Sequence, residues 1–139
     1  MKYKSKDFLI EKTKASKLAK KYSTPLYCYS YQKLKENINY FKNVFQSIDP
    51  LICFAVKSNA NKTLLSEIRK LGLGADVVSI GELMQALKAG IKPNQIVFSG
   101  VGKTSYEIAY AIQKKILLIN AESKSEVLEI EKIAKAKKR

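Results

Sequence analysis

Four short apolar runs, each followed by a segment of helical periodicity, dominate residues 51–139. The runs are Leu51–Val56, Ala75–Val78, Gln95–Phe98 and Ile116–Ile119. They recur at intervals of about 20 to 24 residues, which is the length of one strand and one helix. Because consecutive parallel strands are joined by a crossover helix, this rhythm predicts four βα units in a mostly parallel sheet. Either a (β/α)8 barrel or a doubly wound fold would accommodate them.

The sequence also predicts where three helices begin. Three predicted βα turns carry the [ST]-x-x-E pattern of a capping box, in which a hydroxyl accepts from a free backbone N–H and the glutamate reaches back to the N-cap. The pairs are Ser79 with Glu82, Thr104 with Glu107, and Ser123 with Glu126. Each pair follows a predicted strand, so each marks the first turn of a helix.

The first fifty residues do not share this rhythm. Apolar residues spaced by three and four predict an amphipathic helix: Tyr31, Leu34, Ile38, Phe41 and Phe45. The preceding segment Thr24–Tyr29 predicts a strand, with Pro25 near its start. Residues 12–21 predict a short basic helix. The sequence therefore predicts an N-terminal strand–helix leader ahead of the βα units.

The formal net charge of +14, from 26 Lys plus Arg against 12 Asp plus Glu, raises the question of nucleic-acid binding. The lysines are spread over predicted helices, and Arg69 and Arg139 are the only arginines, so solvated helix faces are the preferred interpretation. A basic binding module remains an alternative. No apolar run reaches the roughly 18 residues of a membrane span, and no signal core is visible. We expect a cytoplasmic chain without nucleic-acid or membrane partners.

The chain contains no histidine, which excludes Ser-His-Asp catalysis, Cys-His catalysis and histidine metal sites within it. Cys28 and Cys53 lie 25 positions apart and form no CxxC motif, so we predict neither a disulfide framework nor a metal site.

Two glycine-containing segments look like nucleotide-binding loops but lack required residues. Gly102-Lys103-Thr104 ends like a P-loop, whose pattern needs a glycine where the chain has Val97. Gly72–Val77 begins like a dinucleotide fingerprint, but it lacks the last glycine and precedes a strand. We predict no nucleotide site.

Lys57 is the most suggestive position for chemistry, because it directly follows the first apolar run. Active sites form at the carboxyl ends of parallel strands. A lysine held there can lose solvation, which lowers its pKa and lets the neutral amine form a Schiff base with an aldehyde. The alternative is an ordinary lysine whose stem covers apolar surface while its ammonium reaches water. Position alone leaves both open.

Five motifs follow one another along residues 24–139: Thr24–Tyr27, Phe54–Asn59, Gly74–Leu83, Ile96–Thr104 and Asn120–Ser123. In this order they resemble the amino-terminal part of the diaminopimelate decarboxylase family. Several ordered motifs are far more specific than one. The resemblance implies homodimeric pyridoxal-phosphate enzymes that combine an alanine-racemase-like barrel with a β-domain and convert the small amino acid meso-2,6-diaminopimelate to L-lysine.

The fold that the resemblance implies is α/β: four βα units of a parallel (β/α)8, TIM-type barrel, incomplete, behind the strand–helix leader. Residues 1–30 would be the leader, with a strand that normally joins the β-domain. Residues 31–139 would be the first half of a barrel that binds pyridoxal phosphate.

The resemblance makes Lys57 the catalytic lysine that holds pyridoxal 5'-phosphate. It places Asp76 and Glu82 at acidic positions that lie near the cofactor and the active lysine in related basic-amino-acid decarboxylases. Their structural alternatives stay open: Glu82 as the capping partner of Ser79, and Asp76 as a strand-end acid.

Two further functions remain as alternatives. An ornithine- or arginine-type decarboxylase is the nearer one, although the loop Ser99–Thr104 favours diaminopimelate. A non-catalytic pyridoxal-phosphate-binding protein on the same barrel would also keep the lysine.

The family pattern continues beyond these residues, with four further strands and the groups that bind the cofactor's phosphate and ring. We therefore expect the chain to be inactive alone. We also expect it to aggregate, dimerise through its open sheet edge, or require a separately encoded remainder.

Overall fold

The computed structural model describes residues 2–4 and 7–137, which divide into two compact units, Met1–Pro50 and Leu51–Arg139. Within the described residues, no helix is long and apolar enough to cross a membrane.

The first unit contains a small antiparallel sheet of three strands, each beside the next one along the chain, followed by two helices. Its elements are β1 (Lys2–Lys4), β2 (Asp7–Ile10), β3 (Thr13–Lys14), α1 (Ala15–Tyr22) and α2 (Tyr31–Val44). Helix α2 begins at the predicted residue, where the Ser30 hydroxyl caps it by accepting from Lys33 N at 3.1 Å.

In this unit the predicted basic helix is present with a later start, and the predicted strand was wrong. Helix α1 begins at Ala15 rather than Lys12, because the residues just before it pair with β2 as strand β3. The predicted strand Thr24–Tyr29 is irregular backbone. An extended segment becomes a strand only when a second backbone pairs with it, and local propensity does not supply that partner.

The second unit confirms the predicted alternation of strands and helices. Its elements are β4 (Cys53–Ala55), α3 (Lys62–Lys70), β5 (Gly74–Val77), α4 (Ile80–Lys88), β6 (Ile96–Phe98), α5 (Ser105–Lys114), β7 (Leu118–Ile119) and α6 (Lys124–Ala136). All pairings are parallel and the strand order is β4-β5-β6-β7, so each strand lies beside the next one along the chain.

The core of this unit joins the sheet to helices α3, α4 and α5. Buried side chains include Val56, Leu65, Val77, Leu83 and Phe98. Burying an aliphatic or aromatic side chain of this kind contributes about 1.5–3 kcal/mol. The apolar runs of the sequence are therefore the strands that the helices cover.

Strands β5 and β6 depend on one glycine for their spacing. A Cβ on Gly74 would lie 2.2 Å from the carbonyl oxygen of Gln95 and 3.0 Å from the Cys53 sulfur. Only glycine permits so close a backbone approach.

The predicted capping boxes are confirmed in full at one helix. Thr104 accepts from Glu107 N at 3.3 Å, and Glu107 accepts from Thr104 N at 3.0 Å. At α4 and α6 the serine hydroxyls cap as predicted, but each glutamate accepts from the residue before the cap, Val78 N at 2.9 Å and Glu122 N at 2.7 Å. The serine caps have φ of −155°, against −74° for Thr104, and this rotation turns the cap's own N–H away from the glutamate.

Candidate active site

Polar residues follow, or stand near, the carboxyl end of every strand in the parallel sheet. Lys57 comes two residues after β4, and Asp76 is the third residue of β5. Ser99 and Asn120 directly follow β6 and β7. Because the four strands are parallel, their carboxyl ends meet at one edge of the sheet, and the four residues belong to that edge.

Lys57 lies in a single 3-10 turn, Val56–Ser58, that leaves the end of β4. Fully buried Val56 anchors the turn, while Asn59 N donates to Val56 O at 3.0 Å and Ser58 Oγ donates to Ala55 O at 2.7 Å. Lys57 itself is exposed. Among the described residues its side-chain nitrogen has neither a hydrogen bond nor an ion pair, so the side chain is accessible and unpaired.

Lys57 is exposed here, and its role toward a cofactor stays a prediction. A strand end is buried only when neighbouring segments cover it, and the apolar run before Lys57 says nothing about such cover. The observed feature is an accessible, unpaired lysine side chain at the carboxyl end of β4.

Asp76 lies on β5, the strand that pairs with β4. It is paired in register with Ala55, and the turn that carries Lys57 contacts both β5 and α4. Asp76 is part-buried, and its Oδ1 accepts from Ser99 Oγ at 2.6 Å. Ser99 Oγ in turn accepts from Asn120 Nδ2 at 3.0 Å.

The negative charge of Asp76 also acts on the adjacent strand. Burial, with Asp76 as a second cause, raises the pKa of the Cys53 thiol. A protonated thiol is a poor nucleophile, so Cys53 is not a candidate for covalent chemistry.

Glu82 stands in the first turn of α4, the helix that contacts the Lys57 turn. Its Oε2 accepts from Val78 N. This bond supports the helix-start interpretation, and a role of Glu82 toward a cofactor stays a prediction.

The sequence did not predict the contacts of Lys103, which was considered only as part of an incomplete P-loop pattern. The Lys103 side chain is 1% exposed and forms an ion pair with Glu126 at 3.2 Å. Its Nζ also donates to Gly100 O at 2.6 Å and Asn120 O at 2.7 Å. Gly100 and Asn120 lie in the turns after β6 and β7, and Glu126 lies in the first turn of α6. Lys103 therefore ties these segments together and is not available to bind a ligand.

Two glutamates form further hydrogen bonds between the segments that follow the strands. Glu107 accepts from Ile80 N at 3.0 Å, and Glu122 accepts from Gly100 N at 3.2 Å. The N–H of Glu122, followed by Lys103, holds the pKa of Glu126 below its usual range. The only sequence signal for these links was a glutamate at the start of successive helices.

The described residues contain no group of three or more His, Cys, Asp or Glu side chains placed to hold a metal ion. The arrangement that is present combines a free primary amine with a carboxylate on the next strand. An amine of this kind condenses with a carbonyl group. The site is therefore suited to a carbonyl-bearing ligand.

Comparison with known proteins places this geometry in a family. The protein-family model for the pyridoxal-binding domain of pyridoxal-dependent decarboxylases matches residues 31–139. The diaminopimelate decarboxylase of Helicobacter pylori strain J99 is 50% identical over 115 residues, which are 83% of this chain and 28% of that protein.

Two solved structures are similar along most of the chain. The crystal structure of H. pylori diaminopimelate decarboxylase complexed with L-lysine has 46% sequence identity and a TM-score of 0.84, over 88% of this chain and 31% of that chain. The diaminopimelate decarboxylase of M. jannaschi has 35% identity and a TM-score of 0.94, over 99% of this chain and 33% of that chain. The chain thus spans between 28% and 33% of the length of these relatives. It belongs to the family of pyridoxal-dependent decarboxylases and carries part of their pyridoxal-binding domain in residues 31–139.

Proposed function

We propose that this chain is the cofactor-holding part of a diaminopimelate decarboxylase, and that Lys57 binds pyridoxal 5'-phosphate covalently. The observation that carries the proposal is the free amine of Lys57 at the carboxyl end of β4. The 50% identity to a diaminopimelate decarboxylase supports the choice of enzyme.

The residues present fit the cofactor. Pyridoxal phosphate offers an aldehyde, and the exposed, unpaired Lys57 amine is the nucleophile that an aldehyde requires. Asp76 on the adjacent strand offers a carboxylate to the cationic groups of such an adduct. When bound, the cofactor supplies an electron sink for the bond to the departing carbon dioxide.

In this mechanism the chain's own residues hold and orient the cofactor. Lys57 attaches the cofactor, and the hydrogen bond of Ser58 to Ala55 O fixes the turn that carries it. Asp76 is steadied by Ser99, while Glu82 lies in the helix turn that contacts the same corner. The cross-links made by Lys103 keep the turns after β6 and β7 in place.

For the whole enzyme we propose the decarboxylation of meso-2,6-diaminopimelate to L-lysine in the cytoplasm, by a homodimer with no nucleic-acid or membrane partner. Support comes from a similar structure that holds L-lysine. An ornithine- or arginine-type decarboxylase is the second candidate, and the shared loop Ser99–Thr104 favours diaminopimelate over it.

The assignment of Lys57 is tested by incubating the purified chain with pyridoxal phosphate, reducing with borohydride and locating the modified lysine by peptide mass. We expect Lys57 to carry most of the label at limiting cofactor. Lys62→Ala is the matched control for Lys57→Ala, because Lys62 is a nearby exposed lysine at the start of α3 and its removal changes the charge equally.

The label should disappear from its main peptide in Lys57→Ala and persist in Lys62→Ala. Label scattered over many lysines, and unchanged in Lys57→Ala, would refute the assignment.

The substrate is tested in a chimera, in which residues 24–139 of this chain replace the matching segment of the H. pylori enzyme. We expect carbon dioxide release from meso-diaminopimelate, abolished by Lys57→Ala. Preferential release from ornithine or arginine would favour the second candidate.

A further inference from the structure

A directed chain of hydrogen bonds crosses three neighbouring strands at the carboxyl edge of the sheet. Asn120 Nδ2 donates to Ser99 Oγ at 3.0 Å, and Ser99 Oγ donates to Asp76 Oδ1 at 2.6 Å. The shorter distance is typical of a hydroxyl bonded to an ionised carboxylate. Asp76, Ser99 and Asn120 thus form one unit, here called the edge network.

The backbone holds each member of the edge network in place. Asp76 is paired with Ala55 and Val97 on its two neighbouring strands. Ser99 N donates to Val77 O at 2.8 Å, and Asn120 N donates to Phe98 O at 2.9 Å. These bonds place the three side chains side by side without any contribution from the side chains themselves.

The edge network has a fixed direction. A serine hydroxyl has one proton, and an amide NH2 can only donate. Because Asn120 fills an acceptor position on Ser99, the single Ser99 proton is committed to Asp76. Among the described residues, the second oxygen of Asp76 has no hydrogen-bond partner and remains an acceptor.

The edge network lies at an edge that is partly accessible to solvent. Asp76 and Ser99 are only part-buried and Asn120 is exposed, so water could satisfy all three groups. A strand-end acid on a wet edge needs no serine and asparagine to hold one of its oxygens. The arrangement is explained if the direction of the carboxylate matters to a ligand.

We propose that Ser99, oriented by Asn120, is a positioning residue that holds Asp76 so that its second oxygen accepts a hydrogen bond from a cationic nitrogen of the cofactor–Lys57 adduct. This inference rests on the proposed function. It assigns roles to Ser99 and Asn120, which act through Asp76 and do not react themselves.

The test loads the full chain with pyridoxal phosphate and follows two signals, the borohydride-fixed label on Lys57 and the circular dichroism of the bound cofactor. The second signal reports how rigidly the cofactor is oriented. The variants are Ser99→Ala, Ser99→Thr and Asn120→Asp, with Asp76→Asn as the reference for complete loss. Ser105→Ala is the matched control, since it removes a hydroxyl that donates to the carboxylate of Glu129 at 2.8 Å, outside the edge network.

In Ser99→Ala we expect the cofactor dichroism to fall to the level of Asp76→Asn and the apparent cofactor affinity to fall about tenfold, as for the loss of one charge-assisted hydrogen bond. Asn120→Asp should act alike, because its carboxylate takes the Ser99 proton away from Asp76. Ser99→Thr should restore both signals, and Ser105→Ala should leave them unchanged. Thermal melting of each variant checks that the fold is intact.

Retention of wild-type dichroism and affinity in folded Ser99→Ala would overturn the positioning role while leaving the Lys57 assignment standing. Absence of a selective Lys57 label in the wild-type chain would overturn the proposed function and this inference together. Failure of Ser99→Thr to restore the signals would also count against the inference, because threonine keeps the donating hydroxyl.

Discussion

Replacing Lys103 with methionine tests whether the ion pair of Lys103 and Glu126 is a main source of stability. The side chains of Lys103 and Glu126 are 1% and 9% exposed, and their charged atoms lie 3.2 Å apart. The same Nζ satisfies the carbonyl oxygens of Gly100 and Asn120. Methionine preserves the apolar stem beside Phe98 and removes only the charge and the donors.

The expected loss in the free energy of unfolding follows from the Glu126 charge that stays buried after the substitution. Removing one partner of a buried ion pair costs about 3–5 kcal/mol, because the other charge remains buried. Glu126 keeps the N–H of Glu122 at 2.7 Å, which favours the lower end, about 3 kcal/mol. A domain is stable by only about 5–15 kcal/mol, so this loss is large. With a urea m-value of about 1–3 kcal/mol per molar, the midpoint should fall by about 1–3 M.

Urea unfolding followed by far-ultraviolet circular dichroism measures this loss. Lys132→Met is the matched control, because Lys132 is 79% exposed and lies 3.7 Å from Glu129, where a pair contributes less than about 1 kcal/mol. Combining Lys103→Met with Glu126→Leu should recover part of the loss, because no buried charge then remains. Equal losses in Lys103→Met and Lys132→Met would refute the reasoning.

Three further predictions concern the strands and caps, and all are read from urea unfolding. Gly74→Ala should lower the free energy of unfolding by about 1–3 kcal/mol or more, since its Cβ would meet Gln95 O at 2.2 Å. Gly81→Ala should stabilise α4 by up to about 1 kcal/mol, since its Cβ would make only an ordinary contact with Ser79 Oγ at 3.8 Å, and equal effects would contradict the close approach at Gly74. Thr104→Ala should cost about 0.5–2 kcal/mol through the lost cap of α5, and no loss would argue against the capping box. The pKa of Glu126 is lowered on folding, so its contribution to stability is present above the ordinary carboxyl pKa of about 4.3 and is lost as pH falls through the lower folded value. Glu126→Gln should therefore make the free energy of unfolding fall less steeply at acidic pH, and an unchanged fall would refute this.

Much of the second unit could be predicted from the sequence because its signals are local. An apolar run such as Gln95–Phe98 forms a strand wherever helices cover it, and the structure has strand β6 there. Hydroxyl residues before a helix cap it through bonds that span three positions, as Ser79 and Ser123 do. These features depend on neighbours a few residues away, which a sequence displays.

The errors arose where a feature depends on distant partners. The segment Thr24–Tyr29 has a strand's composition, but a strand also needs a second backbone to pair with. Whether Lys57 loses solvation likewise depends on which segments cover the strand end, and the sequence left that open. The domain boundary at residue 30 and the site roles of Asp76 and Glu82 remain predictions.

For residues 51–137, the order of strands and helices, the hydroxyl caps and the placement of Lys57 after the first parallel strand follow from the sequence, because propensity, periodicity and capping act over a few residues. The joining of Ser99 and Asn120 to Asp76, and the burial of Lys103 against Glu126, are visible in the tertiary structure alone. Those contacts join residues about twenty positions apart, and they form because parallel pairing brings the ends of successive strands to one edge.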